Sequence, residues 1–307
     1  MTRGKLLYTG KVKQVYDAGP GELEFHFTNN ISVFDKIIPT QVPKKGETLN
    51  RISEYWFNKV EKELGVPTHF IRRTGPEDMR VRKVEVIRDY NRLSSTSTGH
   101  LIPLEVICRH YVAGSLHDRL KAGVIRAKDL GFTTDEVPPV GTKLPRPFVE
   151  FTTKLEPVDR ELSEGEALAI SKLTPLEFQR LKRIVLQVDA IIEREVSKRG
   201  LIHVDGKKEF GFNEKRQIML LDTFGTPDED RWWDAAEYAK GNIVDVSKEF
   251  VRQHYRKTGY HAELMAARKA GATKETEPPI PALPEDVTRQ VTDLYVKLYE
   301  RITGERF

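Results

Sequence analysis

Three short stretches carry residue types whose spacing suits phosphate and metal chemistry. In Gly10-Lys11-Val12-Lys13 two lysines alternate after a glycine. On a strand, residues two apart share a face, so both ammonium groups would lie over a polyphosphate, as the glycine-rich loop does in kinases. The same lysines would suit a solvated strand edge guarded against pairing. Asp205, Lys207 and Glu209, in Asp-Gly-Lys-Lys-Glu-Phe-Gly, also share one face of a strand. Three charges of both signs converging there fit a metal–nucleotide, or the cross-strand ion pairs of an exposed hairpin. Leu220-Leu221-Asp222 ends an apolar strand in a carboxylate. A rigid sheet holding a hard oxygen ligand suits Mg2+, whereas a turn or helix cap is the plainer use. With Glu209 on a neighbouring strand, the metal reading gains.

Two further groups suit an anionic ligand. Arg109 offers a planar fork that matches phosphate oxygens, or lies at a strand surface. Gly114-Ser115 adds a hydroxyl and an approachable backbone N–H. In Thr226-Pro227-Asp228-Glu229-Asp230-Arg231, Asp228 could accept bonds from a substrate amine and Arg231 could bind phosphate. The alternative is a turn capping a helix that starts near Arg231.

The elements that must position these residues read as α+β. Lys11 to Tyr16 and Leu23 to Phe27 form a hairpin across Ala18-Gly19-Pro20-Gly21. Leu49 to Leu64 is a helix with Ile52, Trp56, Val60 and Leu64 on one face, stopped by Gly65 and Pro67. Val81 to Ile87 and Pro103 to Tyr111 read as strands, separated by a Ser/Thr-rich loop from Asn91 to Gly99, and Pro138 to Pro147 as irregular. Thr174-Pro175-Leu176-Glu177 is a capping box opening a helix that ends near Gly200. Leu201 to Val204 is a strand, Phe210 to Phe212 and Gln217 to Leu221 a hairpin, and Glu285 to Thr303 a last helix.

The 307 residues predict about two domains, and 38% hydrophobic content with 14 Phe, 10 Tyr and 3 Trp supports a sizeable core. No apolar run approaches the ~18 residues that span a bilayer, and Met1 to Lys13 has no signal-peptide core, so a cytoplasmic protein is expected. The single Cys108 excludes a disulfide framework and a Cys-rich metal site. A net charge of +4, with only short basic groups such as Lys44-Lys45 and Arg80 to Lys83, fits an anionic small substrate as well as nucleic acid, which would need the basic residues clustered on one face.

Each signal is weak alone, but their order is specific. Gly10-Lys-x-Lys-x-x-Tyr16, Ser32-Val-Phe-Asp35, Pro103-Leu-Glu-Val-Ile-Cys-Arg109 through Gly114-Ser115, Thr153-Lys154, Asp205-x-Lys-x-Glu-Phe-Gly211 and Asp222 through Pro227-Asp228-x-x-Arg231 stand in one succession. Over about Leu6 to Tyr238 the chain resembles the phosphoribosylaminoimidazole-succinocarboxamide (SAICAR) synthetase family. The resemblance implies a small β-rich lobe covering ATP (residues 1–100) over a larger α+β lobe with substrate and metal sites (101–307), related to kinase and ATP-grasp folds. It implies ligation of L-aspartate to carboxyaminoimidazole ribonucleotide with ATP and Mg2+, through an acyl phosphate, in purine biosynthesis. No membrane or nucleic-acid partner is implied, and a homo-oligomer is left open.

Position by position, the resemblance places Lys11 and Lys13 over the ATP phosphates and Lys154 beside the reacting groups. Asp222 resembles the Mg2+ ligand, and Glu209 a nucleotide or metal contact supported by Asp205 and Lys207. Leu101 resembles the hinge residue whose backbone reads adenine. Arg109, Ser115 and Arg231 resemble the clamp on the ribonucleotide phosphate, and Asp228 the residue that orients the imidazole amine. Asp159 falls in the acidic loop near the reacting groups, and Glu105 and Asp35 near the substrate carboxylate or a second metal. The chain departs from the family at Thr223, where a glutamate is common, at Glu229-Asp230, where small residues are usual, at Val158, where histidine is frequent, and in its longer Asn91 to Gly99 loop. Two other readings compete: another ATP-dependent kinase or ligase on this scaffold, and a nucleotide- or RNA-binding protein without turnover.

Overall fold

The structure is a computed structural model that describes residues 3–307. Its first sheet is antiparallel, with β1 (Leu6–Thr9), β2 (Lys13–Asp17), β3 (Glu22–Phe27), β6 (Phe70–Arg73) and β7 (Asp78–Arg82) in the order β1-β2-β3-β7-β6. The alternation read in the sequence fixes its inner face: Phe25 and Phe27 are buried while Glu24 and His26 turn the other way. A separate ribbon, β4 (Asn30–Val33) with β5 (Lys36–Gln41), precedes α1 (Lys45–Leu64).

Helix α1 starts four residues before the expected Leu49. Lys44 takes a left-handed conformation (φ 64°), and Gly46 lets the first turn pass close to β3, where a Cβ would lie 2.3 Å from the Phe27 carbonyl oxygen. The Lys44-Lys45-Gly46 run thus opens the helix. Val81 to Ile87 is also corrected: the strand is β7, and beyond it the chain leaves the sheet, with Val86 exposed.

The second sheet holds β8 (Leu101–Tyr111), β9 (Lys143–Thr153), β10 (Glu161–Leu162), β11 (Leu201–Phe212) and β12 (Ile218–Leu221) in the order β10-β9-β8-β11-β12. β13 (Asp230–Asp234) pairs with the first half of β11. Residues 201–212 are therefore one 12-residue strand that spans both segments expected separately. The expected irregularity at Pro138 to Pro147 holds up to Lys143; Pro145 and Pro147 lie in β9 where its register with β8 shifts. Helix α2 (Gly114–Lys121) follows β8, and α3 (Glu164–Ser171) precedes α4 (Pro175–Ser197), which carries the expected reciprocal Thr174–Glu177 capping box. After β13 come α5 (Ala235–Ala239), α6 (Glu249–Lys257), α7 (Tyr260–Lys269) and α8 (Glu285–Thr303). Arg231 lies within β13, so the Thr226 to Arg231 segment does not cap a helix there.

One hydrophobic core joins the two sheets, running from Phe25 and Phe27 through Trp56 and Phe57 to Val185, Phe210 and Leu298. The sheets are also stitched by backbone: His69 N–H donates to the Leu220 carbonyl (2.9 Å), and Leu220 N–H to that of Pro67 (2.9 Å). The end of β12 is thereby fixed beside the first sheet. Among the described residues no helix is long and apolar enough to cross a membrane.

Candidate active site

A cleft of about 420 Å3 opens between the two sheets. Its roof is the Gly10–Lys13 turn and the Ser32–Asp35 segment; its floor carries Lys154, Lys207, Glu209, Asp222, Thr223, Asp228 and Glu229, and one end carries Lys248 and Arg252. The strands explain the floor. Glu105 on β8 lies directly opposite Glu209 on β11, and Glu209 opposite Leu221 on β12, so Asp222 is the next residue along. Lys207 shares the face of Glu209, two residues away. Lys154 follows β9, the strand on the other side of β8.

These groups form one ion network. Lys154 Nζ lies 2.6 Å from Glu209 Oε1 and 3.1 Å from Glu105 Oε1, and Lys207 Nζ lies 3.0 and 2.8 Å from the same two atoms. Lys207 is also 3.4 Å from Glu229. Burial pushes the Asp222 and Glu209 carboxyls upward, but the surrounding lysines overcome it and hold both below the usual carboxylate range. For Lys154 and Lys207 burial is likewise outweighed by the carboxylates, which hold both ammonium groups above the ordinary lysine value. Glu229 moves the other way, raised by burial against the pull of Lys207.

The two N-terminal lysines do not share a strand face, as the sequence had suggested. Gly10 N–H closes a turn onto the Lys13 carbonyl (2.8 Å), so Lys11 sits in the bend and only Lys13 in β2. Lys13 pairs with Asp222 across the cleft, whereas Lys11 reaches Asp35 at 2.5 Å near the mouth. Asp35 follows Phe34, both in the left-handed region (φ 65° and 52°), which turns its carboxylate toward Lys11.

A second constellation lies farther along the same face of β11. Arg109 on β8 is opposite Asp205, and Arg231 on β13 pairs with Asp205 from the other side. Arg109 Nη2 donates to Ser115 Oγ (3.1 Å) and its Nε to Glu150 (2.6 Å); Asp205 Oδ2 lies 3.4 Å from Arg109 and 3.1 Å from Arg231. Gly114 (φ 52°) leaves the space that the Arg231 guanidinium occupies; a Cβ there would lie 2.6 Å from Nη2. At about 3.3 Å per residue, Asp205 and Glu209 stand roughly 13 Å apart. Arg109, Ser115 and Arg231 are therefore brought together as expected.

Three expected site residues stand outside these two ion groups. The Leu101 N–H donates to the Glu85 carbonyl (2.9 Å), and its side chain joins Met219, Leu221, Val84 and Leu155 in a small apolar cluster. Asp228 does not present a free carboxylate, because Lys45 (2.7 Å) and Tyr295 (2.5 Å) take both oxygens. Asp159 lies exposed in the loop after β9, where burial and the neighbouring Glu105 hold its carboxyl above the usual range against the pull of Lys207 and Lys154 of the cleft floor.

Several cleft residues escaped the sequence reading. Glu229 brings to this cleft an acidic group that Thr223 lacks. Lys45 is wholly buried, and Lys248 and Arg252 come from the segment after Tyr238. A four-residue spacing of cations at the start of α6 was the available signal for the latter pair. Cys108, His110 and Asp189 cluster behind β11, but the buried Lys208 ammonium already pairs with Asp189 there, so a structural ion network explains the group. A larger depression of about 1100 Å3 lies on the other face of the first sheet. Its Arg3 and Arg80 are already paired, with Asp78 (3.0 Å) and with Glu22 and Glu24 (3.2 Å each).

Comparison with known proteins shows the family. The SAICAR synthetase family model matches residues 6–267. A phosphoribosylaminoimidazole-succinocarboxamide synthase from Thermoplasma acidophilum is 51% identical, covering 99% of this chain and 100% of that protein. One of the same name from Thermoplasma volcanium is 49% identical over the same shares. Among solved structures, a SAICAR synthetase in complex with ADP superposes with a TM-score of 0.68 at 26% identity, covering 98% of each chain. A Saccharomyces cerevisiae SAICAR synthase complexed with SAICAR gives 0.74 at 24% identity, covering 99% of this chain and 96% of that one, and supports the fold. The chain belongs to the SAICAR synthetase family, the ATP-dependent ligases of purine biosynthesis.

Proposed function

We propose that the cleft joins L-aspartate to the carboxylate of carboxyaminoimidazole ribonucleotide, consuming ATP and releasing ADP and phosphate. The observation that carries this reading is the pair of anion sites on one face of β11. Lysines gather around Glu209 and Asp222, and two arginines with a serine gather around Asp205. ATP phosphates suit the lysine end, beneath the Gly10–Lys13 turn, and the base suits the neighbouring apolar cluster of Leu101, Met219 and Leu221, whose Leu221 stands opposite Glu209. The ribonucleotide phosphate suits the arginine end, which leaves its carboxylate near Lys154 and Lys207.

A carboxylate is a poor acyl donor. One of its oxygens takes the γ-phosphoryl group, the bond to the ADP oxygen breaks, and an acyl phosphate forms. The aspartate nitrogen then bonds to the acyl carbon, phosphate leaves with the broken C–O bond, and the amine loses a proton. The protein supplies alignment and charge neutralisation. Lys154 and Lys207 exchange their carboxylate partners for the oxygens that gather charge, and Lys11 and Lys13 cover the phosphates. Lys248 and Arg252 offer cations to the carboxylates of aspartate.

Asp222 and Glu209 fit a hard divalent cation: a half-buried and a buried carboxylate, adjacent across β11 and the end of β12 and facing the cleft, are oxygen donors of the kind Mg2+ takes. Bound there, Mg2+ would lower the negative charge of the phosphates. The test is phosphate release with ATP, the ribonucleotide and each amino acid in turn. Release that needs both ribonucleotide and aspartate supports the reading; release with either one absent contradicts it.

A further inference from the structure

We infer that Asp230 is a positioning residue for the arginine end of the cleft, holding the Gly225–Arg231 loop from a buried charge cluster behind β11; this rests on the ribonucleotide reading above. Its carboxylate is fully buried, out of reach of any ligand. Oδ1 accepts the Gly225 N–H (2.8 Å), Oδ2 accepts His203 Nε2 (2.6 Å), and the Asp230 N–H donates to the Thr226 carbonyl (2.9 Å). The first and last residues of the loop are thus tied together. Gly225 is held in turn by Trp56, whose indole N–H donates to its carbonyl (3.0 Å). Between these anchors lie Asp228 and Glu229 of the cleft, and Arg231 follows directly.

The cluster is built around this carboxylate. Gly206 faces Asp230 across the β11–β13 pairing, and a Cβ there would lie 1.9 Å from Oδ2, so β11 gives up a side chain to admit it. Lys208, also wholly buried, places its ammonium 3.7 Å from Oδ2 and pairs with Asp189, which His110 contacts at 3.0 Å. Burying a carboxylate costs several kcal/mol unless it is paired and hydrogen-bonded, and here it is both. Strand alternation separates the duties: Asp205, Lys207 and Glu209 face the cleft, Gly206 and Lys208 the cluster. Asp230 therefore acts on the ligand only through the backbone that aims Arg231.

Steady-state kinetics on Asp230→Asn and Asp230→Ala, with ATP and ribonucleotide varied separately, test this. A residue that aims one clamp moves one KM. Asp230→Asn keeps an acceptor for Gly225 but loses the charge toward His203 and Lys208; the ribonucleotide KM should rise about tenfold, with the ATP KM within about twofold. Asp230→Ala, if it folds, should raise the ribonucleotide KM further, so that the asparagine variant is a partial rescue. A purely structural role would lower the unfolding midpoint and the active fraction, and so the apparent kcat, with both KM values unchanged; that result in Asp230→Asn overturns the inference. Arg231→Ala is the control. If it too spares ribonucleotide affinity, the assignment of the clamp is wrong; if it alone weakens that affinity, only the role of Asp230 is wrong.

Discussion

Replacing Arg231 by alanine separates the two anion sites most directly. The guanidinium touches Asp205 at 3.1 Å and Asp245 at 3.7 Å, with 18% of the side chain exposed. A hydrogen bond to a charged group contributes about 1.5–3 kcal/mol, and ~1.4 kcal/mol is a factor of ten, so ribonucleotide affinity should fall about 10- to 100-fold. The upper end is expected, because Asp205 is left with Arg109 alone at 3.4 Å and repels the incoming phosphate more strongly. Arg109→Ala combined with Arg231→Ala should be non-additive, since both arginines share Asp205 and one phosphate group. Gly114→Ala offers an independent route: its Cβ would meet Nη2 at 2.6 Å and displace the same guanidinium without removing it. Isothermal titration with the ribonucleotide and, separately, with a non-hydrolysable ATP analogue reads both sites. Loss of affinity for the ATP analogue with the ribonucleotide spared would exchange the two sites and refute the reasoning.

Asp222→Asn should lower kcat by about 10²–10³-fold while circular dichroism shows the fold retained, because an amide neither balances Lys13 nor replaces a hard anionic ligand; wild-type turnover in excess Mg2+ would contradict this. Asp245 makes stability depend on pH: burial raises its carboxyl to about 6, against the bonds from Ser247 and the charge of Arg231. A raised carboxyl contributes stability below its unfolded value of about 3.9, and that contribution is lost as pH rises through about 6. Asp245→Asn should therefore raise Tm at pH 8 and leave it nearly unchanged at pH 4, and scanning calorimetry at both values decides. Gly46→Ala forces a methyl to within 2.3 Å of the Phe27 carbonyl oxygen and should cost about 1–3 kcal/mol in urea unfolding, with α1 unpinned from β3; an unchanged midpoint would show that the helix start can move.

What the sequence makes legible follows from how far each physical rule reaches. Strand alternation is local, so Asp205, Lys207 and Glu209 could be placed on one face, and the structure keeps them there. Capping chemistry is local as well, so α4 begins where Thr174 indicates. The order of the motifs along the chain carried more than any single spacing, because weak signals in fixed succession restrict one another. Lys11 shows where a local rule misleads: Gly10-Lys-x-Lys alternates as a strand does, but the Gly10–Lys13 backbone bond makes a turn and sends the two ammonium groups to different carboxylates.

The residues that escaped are those whose meaning depends on a distant partner. Asp228 and Glu229 are neighbours of one charge and one loop, and nothing local says which partner each takes. Lys45, 183 residues away, draws the Asp228 carboxylate to itself, with Tyr295 on the other oxygen, whereas Lys207 at 3.4 Å keeps Glu229 at the cleft. Burying Lys45 without Asp228 would cost several kcal/mol, so the pair is formed with the fold itself. Exposed or exchangeable pairs behave otherwise. Lys154 and Lys207 each divide their donors between Glu105 and Glu209 in a cleft that solvent reaches; under the proposed reaction an arriving phosphate would take over those donors, and a divalent cation held by Glu209 and Asp222 would offset the carboxylate charge they leave. The chemistry thus belongs to the ion pairs that can change partners, and the positions of Arg231 and Glu229 belong to those that cannot.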